Sequence, residues 1–320
     1  MAVAIMATAG SIYMIARSWQ GQDLSAYATL PAIAGVAIAL LFYVLGVMVS
    51  ALAWRQLLLG MDTRNSWAEL CGIVSVTQIG KYLPGNVAHH VGRGALAIGR
   101  GVGAVPLVTT GLAEIALLAL ASVAVGGAAL LLSGRLGALE ALGNFGIIGA
   151  VVIAAVLVVV GLAGLRHIVP LLITRFAPKL AGRPGLATLP GPGALIRALV
   201  LYTLVYGTFG LGIVAMAGLL LPGSITMQDG WLLLAAFSLA WIIGFATPGA
   251  PAGVGVREAV MLLLLSEAYA PADAGAIVLS IRIATTLGDL VLLPIGWLQL
   301  RATRPPSRPG VANPVAEAES

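Results

Sequence analysis

The stretch from Ile79 to Arg93 gathers residue types that could bind an anion. It reads IGKYLPGNVAHHVGR and places a lysine, two histidines and an arginine in surroundings that are otherwise almost uniformly apolar. Pro84-Gly85 at its centre breaks a helix, because proline lacks an N–H group and glycine is conformationally free. A broken helix frees backbone N–H groups and presents the positive end of the next half-helix, and both favour a negative ligand. The stretch therefore predicts an anion site at a helix break.

A second stretch repeats this pattern. Residues 243–257 read IGFATPGAPAGVGVR, so that Ile-Gly, Pro-Gly and the final arginine recur 164 positions after their first copies. Interrupted helices at corresponding positions of two halves are typical of transporters whose binding site lies near the bilayer midplane. We assign the backbone of the two breaks to Pro84, Gly85, Pro248, Gly249, Gly253 and Gly255.

Arginines inside apolar segments need a reason, since one at the bilayer centre costs roughly 2.5–3.5 kcal/mol on insertion scales. Phosphate binding is one reason, because guanidinium suits bidentate phosphate recognition. The alternative is structural: Arg257 pairs with Glu258 or Asp289. For Arg93, the alternative is a side chain that extends to the cytoplasmic interface. We assign substrate binding to Lys81, Asn86, His90, Arg93, Arg257 and Glu258.

Other polar residues have more than one interpretation. Asn86 could equally be a helix cap, and His89 and His90 are better suited to lining a polar cavity than to metal ligation. The chain has no HExxH motif and a single cysteine, Cys71, so we expect no metal and no other cofactor. The candidate charge partners are three ionisable residues in apolar helices, namely Glu114, Arg282 and Asp289. One of the two acids could carry a coupling proton.

The composition indicates a membrane protein. The chain has 320 residues, of which 60% are hydrophobic and 9% charged, whereas soluble domains carry about a quarter charged residues. Six apolar runs predict full transmembrane helices, at residues 2–17, 31–59, 104–132, 144–165, 194–221 and 273–300. With two broken regions between them, the predicted fold is all-α and polytopic, with about six full spans and two re-entrant hairpins. Ser66 and Glu69 predict a capping box at the first broken region, and Asp229 and Asp273 are predicted N-caps.

Charge distribution predicts the orientation. The net charge of +5 lies in loops, so it indicates topology and not a nucleic-acid partner. The basic loop at residues 166–193 and the arginines after residue 300 are expected inside, which makes both termini cytoplasmic. Three spans separate the broken regions, and an odd number inverts the second copy. We therefore divide the transmembrane domain, residues 1–300, into halves at about 1–165 and 166–300, followed by a disordered cytoplasmic tail at 301–320.

The two motifs resemble a known family. QIGKYLPGNVAHHVGR followed by TPGAPAGVGVREAV is similar to the lysylphosphatidylglycerol synthase transmembrane-region family, which includes the flippase domain of the bacterial multiple peptide resistance factor. The resemblance covers about residues 1–300 and implies a bacterial inner-membrane protein with two re-entrant hairpins. Only 20 residues follow Leu300, so we expect no aminoacyl-transferase domain and no synthesis of lysyl-lipid. The positions that match the family motifs are Lys81, Pro84, Gly85, Asn86, Arg93, Pro248, Gly249, Gly253, Gly255, Arg257 and Glu258.

These observations favour a lipid translocator that moves a phosphate-bearing lipid between leaflets by alternating access. The expected cargo is an anionic phospholipid or a polyprenyl-phosphate-linked lipid. Two alternatives stay open: a membrane-embedded enzyme acting on lipid phosphate, with His89 or His90 as base, and a non-catalytic partner of a glycosyltransferase. A second copy of the chain or a separate glycosyltransferase is the protein partner that we consider.

Overall fold

The computed structural model describes residues 27–82, 88–135, 171, 189–247 and 253–303. Over these residues the chain forms helices and no strand. The α-helices are α1 Leu30–Leu59, α2 Trp67–Thr77, α3 Ala88–Gly99, α4 Ala104–Leu132, α5 Pro192–Leu220, α6 Met227–Ala246, α7 Val256–Leu265 and α8 Pro271–Ala302. A 3₁₀ helix, Gln78–Tyr82, continues α2.

Five of these helices are long and apolar enough to cross a membrane, namely α1, α4, α5, α6 and α8. Four of them match spans predicted from hydropathy, and the other two predicted spans, at residues 2–17 and 144–165, lie outside the described residues. The predicted all-α polytopic membrane fold is confirmed. The difference is α6, which the sequence assigned to one arm of a hairpin although its 20 residues suffice to cross the membrane.

Two predicted helix caps are wrong by a few residues. Asp229 lies in the first turn of α6, and the cap is Thr226, whose N–H and hydroxyl both donate to the Asp229 carboxylate. Asp273 lies in the first turn of α8, which begins at Pro271. Proline suits a first helical position because its missing N–H is not needed there. Both aspartates instead place negative charge near the positive end of a helix.

The first broken region forms a hairpin, residues 67–99, which we call the first hairpin. At its base Ser66 Oγ accepts the Glu69 N–H at 3.1 Å, which is one half of the predicted capping box, and Arg100 lies 3.5 Å from Glu69. At its far end a Cβ on Gly80 would lie only 2.8 Å from His89 N. The arms are therefore antiparallel. Pro84, Gly85 and Asn86, which the sequence placed at the helix break, lie outside the described residues.

The second broken region, residues 227–265, forms a second hairpin. Arg135 donates to Asp229 at 2.7 Å and to the Glu267 carbonyl at 3.3 Å, so it joins the two ends of the hairpin. Towards the tip a Cβ on Gly244 would overlap the Arg257 side chain. These contacts make α6 and α7 antiparallel.

The backbone just before α7 is glycine-dependent. Gly253 and Gly255 have φ angles of +68° and +89°, a region that only glycine adopts readily. Pro248 and Gly249, the remaining predicted break residues, lie outside the described residues. Re-entry of either hairpin into the bilayer stays a prediction.

The order long helix, hairpin, long helix occurs twice along the described chain. The first helices of the two series, α1 and α5, pack antiparallel, since Gly35 lies beside Met216 at one end and Gly60 beside Ala194 at the other.

Each hairpin packs on the last long helix of the other series. The first hairpin packs on α8, where Gly296 lies against Ser75. The second hairpin packs on α4, where Ser122 Oγ donates to the Ser238 carbonyl at 2.6 Å. Antiparallel counterparts and reciprocal packing are the arrangement that an inverted repeat predicts.

Candidate functional site

A cavity of about 170 Å³ lies between the two hairpins and the long helices. It is lined by apolar and aromatic side chains together with most of the ionisable residues that the sequence singled out. Those residues are Lys81, His89, His90, Arg93, Glu114, Arg257, Glu258 and Arg282. The tertiary structure thus brings both motifs to one place, although 164 positions separate them along the chain.

Arg93 is neutralised within the protein. Its Nη1 donates to Glu114 Oε1 at 2.9 Å, and Nη2 lies 2.7 Å from Glu114 Oε2. The guanidinium also stacks 3.8 Å from the centroid of the Trp54 ring, whose Nε1 donates to Thr110 at 3.1 Å. Arg93 therefore pairs with Glu114 of α4, one of the candidate charge partners that the sequence offered, and its extension to the interface stays an untested alternative.

Lys81 is held by a fully buried carboxylate. Its Nζ lies 2.7 Å from Asp289 Oδ2 and 2.9 Å from Oδ1. Tyr43 and Tyr82 each donate to Asp289 at 2.6 Å, so both of its oxygens are occupied. Asp289 consequently serves Lys81 and neither arginine of the two motifs. This network ties the first hairpin to α8 and α1.

Glu258 has a local role at the start of α7. Its Oε2 accepts the Gly255 N–H at 2.6 Å, which caps the helix, and its Oε1 lies 3.4 Å from Arg282. Glu258 therefore pairs with Arg282 of α8, and not with its neighbour Arg257 as the alternative supposed.

Arg257 differs from the other cations of the cavity. No carboxylate of the described residues lies within 4.0 Å of its guanidinium, and its buried Nε has no hydrogen-bond acceptor among them. Its side chain is packed between glycines, since a Cβ on Gly253 would lie 2.6 Å from Arg257 Nε and one on Gly244 would overlap Cγ. The guanidinium faces Trp241, 5.7 Å from the ring centroid. It is held in the cavity wall with spare capacity to bind an anion.

The two histidines lie side by side, with ring centroids 3.9 Å apart. His89 Nδ1 and His90 Nε2 are both buried and have no hydrogen-bond partner in the described part of the chain. That same part contains no group of three His, Cys, Asp or Glu residues arranged to hold a metal ion. Cys71 is buried in the core.

Sequence reasoning missed the aromatic side chains of the site. Tyr43, Tyr82 and Trp54 hold the charged groups, and Trp241 stacks on Phe245 with centroids 5.3 Å apart. A partial signal existed, because Tyr82 directly follows Lys81. The others lie in apolar helices where an aromatic residue is unremarkable, so only the packing could assign them.

Comparison with known proteins identifies the family. No curated protein sequence matches the chain. A protein-family model described as "Lysylphosphatidylglycerol synthase TM region" matches residues 2–292, which include both motifs and every ionisable residue of the cavity. This multi-pass membrane protein therefore belongs to the lysylphosphatidylglycerol synthase TM region family.

Proposed function

We propose that the chain is a lipid translocator, which moves a phosphate-bearing lipid between leaflets by alternating access. The observation that carries this proposal is Arg257, a cation in a cavity wall without a carboxylate partner among the described residues. A buried charge without a partner is costly, and a ligand phosphate would remove that cost. The family match to a synthase's membrane region supports a lipid as the bearer of the phosphate.

The other cations contribute differently. Lys81 and Arg93 are ion-paired at 2.7 Å, so they shape the electrostatic field of the cavity instead of offering free charge. In this mechanism the phosphate binds Arg257 first. The acyl or prenyl chains stay in the surrounding lipid, next to the apolar part of the lining.

The reciprocal packing of the hairpins supports the proposal of alternating access. Each hairpin packs on a long helix of the other series, and both line the cavity. Rocking of one half against the other would open the cavity to one side while closing it to the opposite side. We propose that residues 1–165 and 166–300 are the moving halves.

The remaining proposals concern the location of the protein, its cargo and its protein partners. We place the protein in the bacterial inner membrane with both termini cytoplasmic, because its basic loops indicate that orientation. We propose an anionic phospholipid or a polyprenyl-phosphate-linked lipid as its cargo. A homodimer or an association with a glycosyltransferase is the protein partnership that we propose.

Leaflet exchange in proteoliposomes tests the function. A fluorescent anionic phospholipid is reconstituted with the protein, and the outer leaflet is quenched chemically over time. We expect Arg257→Ala to slow exchange by at least about tenfold, the equivalent of one charge-assisted hydrogen bond. Arg197→Ala is the matched control, since Arg197 is exposed and bonds only Gln56 in the described structure.

Two results would contradict the proposal. Exchange that is equally fast in both variants would remove Arg257 from the pathway. A chemically altered lipid recovered from the vesicles would indicate catalysis, since translocation changes only the sidedness of the lipid.

A further inference from the structure

We infer that the cavity selects lipid phosphates whose headgroup carries hydroxyls and no ammonium group. This inference rests on the proposed function and specifies its substrate class. It excludes zwitterionic and aminoacylated headgroups as good substrates, and the argument has three independent parts: the carboxylates, the aromatic faces and the histidines.

The carboxylates of the site are already occupied. Both oxygens of Asp289 accept short contacts from Lys81 and two tyrosines. Both oxygens of Glu114 face Arg93. Glu258 binds the Gly255 N–H and Arg282. None of these three acids is left to neutralise an incoming ammonium group.

The net charge of the cavity also disfavours a headgroup with an ammonium group. Four cations, Lys81, Arg93, Arg257 and Arg282, line the cavity, and these three carboxylates neutralise three of them. With neutral histidines the site carries one net positive charge, which a phosphate diester cancels. An added ammonium would restore the positive charge in a site of low dielectric, where like charges repel strongly.

Aromatic rings can hold an ammonium group, and protein cations already lie over three of the rings that line the cavity. Lys81 lies 5.4 Å from the Tyr43 centroid and 5.6 Å from that of Tyr82. Arg257 covers Trp241 at 5.7 Å. At these three rings a headgroup ammonium would have to compete with a protein cation.

The histidines provide the positive part of the argument. His89 Nδ1 and His90 Nε2 are buried, line the cavity and lack described partners. A neutral imidazole offers one donor and one acceptor nitrogen, and a hydroxyl can satisfy either. Leaving such groups unpaired is unfavourable, so a hydroxylated headgroup beside the phosphate would be preferred.

Three lipids separate these contributions in the exchange assay. Phosphatidylglycerol, phosphatidylmethanol and phosphatidylethanolamine are labelled identically on the acyl chain. The first has hydroxyls, the second has neither hydroxyl nor ammonium, and the third has an ammonium. We expect phosphatidylglycerol to exchange about tenfold faster than phosphatidylmethanol, and phosphatidylethanolamine to be the slowest of the three. Lysyl-phosphatidylglycerol, added as a fourth lipid, should exchange as slowly as phosphatidylethanolamine. A polyprenyl-phosphate sugar, tested beside them, distinguishes a glycerophospholipid substrate from a prenyl one.

Two variants assign the selectivity to residues. His90→Phe should remove the advantage of phosphatidylglycerol over phosphatidylmethanol, so that the variant exchanges the two lipids at rates within about twofold of each other. Arg282→Gln releases the Glu258 carboxylate, so it should narrow the gap between phosphatidylmethanol and phosphatidylethanolamine. Circular dichroism in detergent checks that both variants fold.

A binding assay separates this inference from the proposed function. It measures the thermal stabilisation of the detergent-solubilised protein by short-chain versions of the same lipids. Selective binding without exchange would support the headgroup preference and reject translocation. Exchange that favours ammonium lipids, or that treats all headgroups alike, would overturn the inference and leave translocation standing. The same pattern of binding without any exchange would overturn both.

Discussion

At the scale of single residues, the site is a set of matched charges with one exception. Lys81, Arg93 and Arg282 each have a carboxylate in reach, and Arg257 has none among the described residues. Buried ion pairs contribute little net stability, but removing one member leaves an uncompensated charge. Paired residues should therefore affect stability when changed, and Arg257 should affect ligand binding.

Glu114→Gln tests this distinction. It leaves the buried Arg93 without its counter-charge, so we expect a loss of about 3–5 kcal/mol in the free energy of unfolding, measured by denaturant titration in detergent. Glu267→Gln is the control, because its carboxylate is exposed.

The double variant Arg93→Gln with Glu114→Gln removes both charges. Its loss should be clearly smaller than that of Glu114→Gln alone. A double variant that is less stable than either single change would mean that the two side chains do not act as a pair.

At the scale of elements, the close approach of α6 and α7 within the second hairpin positions Arg257. Gly244 of α6 contacts the aliphatic part of this side chain directly, and Gly253 borders it on the other side. The glycines thus allow α7 to return beside α6 with a long arginine between them. A side chain at either position would push the guanidinium out of place.

Gly244→Ala should therefore reduce leaflet exchange nearly as much as loss of Arg257, with the helix content unchanged. Gly207→Ala is the matched control, because a Cβ there would meet nothing within 4 Å. Circular dichroism and the exchange assay on the same preparations give both readouts. Full exchange by Gly244→Ala would show that the packing of Arg257 is not important for transport.

At the scale of the whole molecule, the two series are in contact through their hairpins, because each hairpin packs on a long helix of the other series. The second hairpin packs on α4, which belongs to the other series, and a Cβ on Gly126 would lie 3.2 Å from Ser238 Cβ. That separation is close to the roughly 3.5–4.5 Å of a disulfide. A covalent link at this point would join the proposed moving halves.

A Gly126→Cys, Ser238→Cys double variant, made in a Cys71→Ala background, should form this disulfide. If the halves move against each other, oxidation should stop exchange and a reductant should restore it. Gly207→Cys with Ser238→Cys is the unlinked control. A complete crosslink with unchanged exchange would contradict relative motion of the halves.

The sequence alone determined the class of the protein, the positions of most long helices of the described chain and most of the charged residues of the cavity. Apolar length defines spanning helices because the bilayer requires it, so α4 matches its predicted bounds and α1, α5 and α8 begin or end within two residues of theirs. Charges in apolar segments are too costly to be incidental, which is why Lys81, Arg93 and Arg257 were identified without a structure.

Only the tertiary structure decided which charges pair. Ion pairing depends on distances of a few ångströms between helices far apart in sequence, and such distances follow from packing. Sequence reasoning offered Asp289 and Glu258 as partners for Arg257, whereas packing gives them to Lys81 and Arg282. Among the described arginines that line the cavity, Arg257 alone has no carboxylate within 4.0 Å, and this becomes apparent only from the positions of Glu114, Glu258 and Asp289.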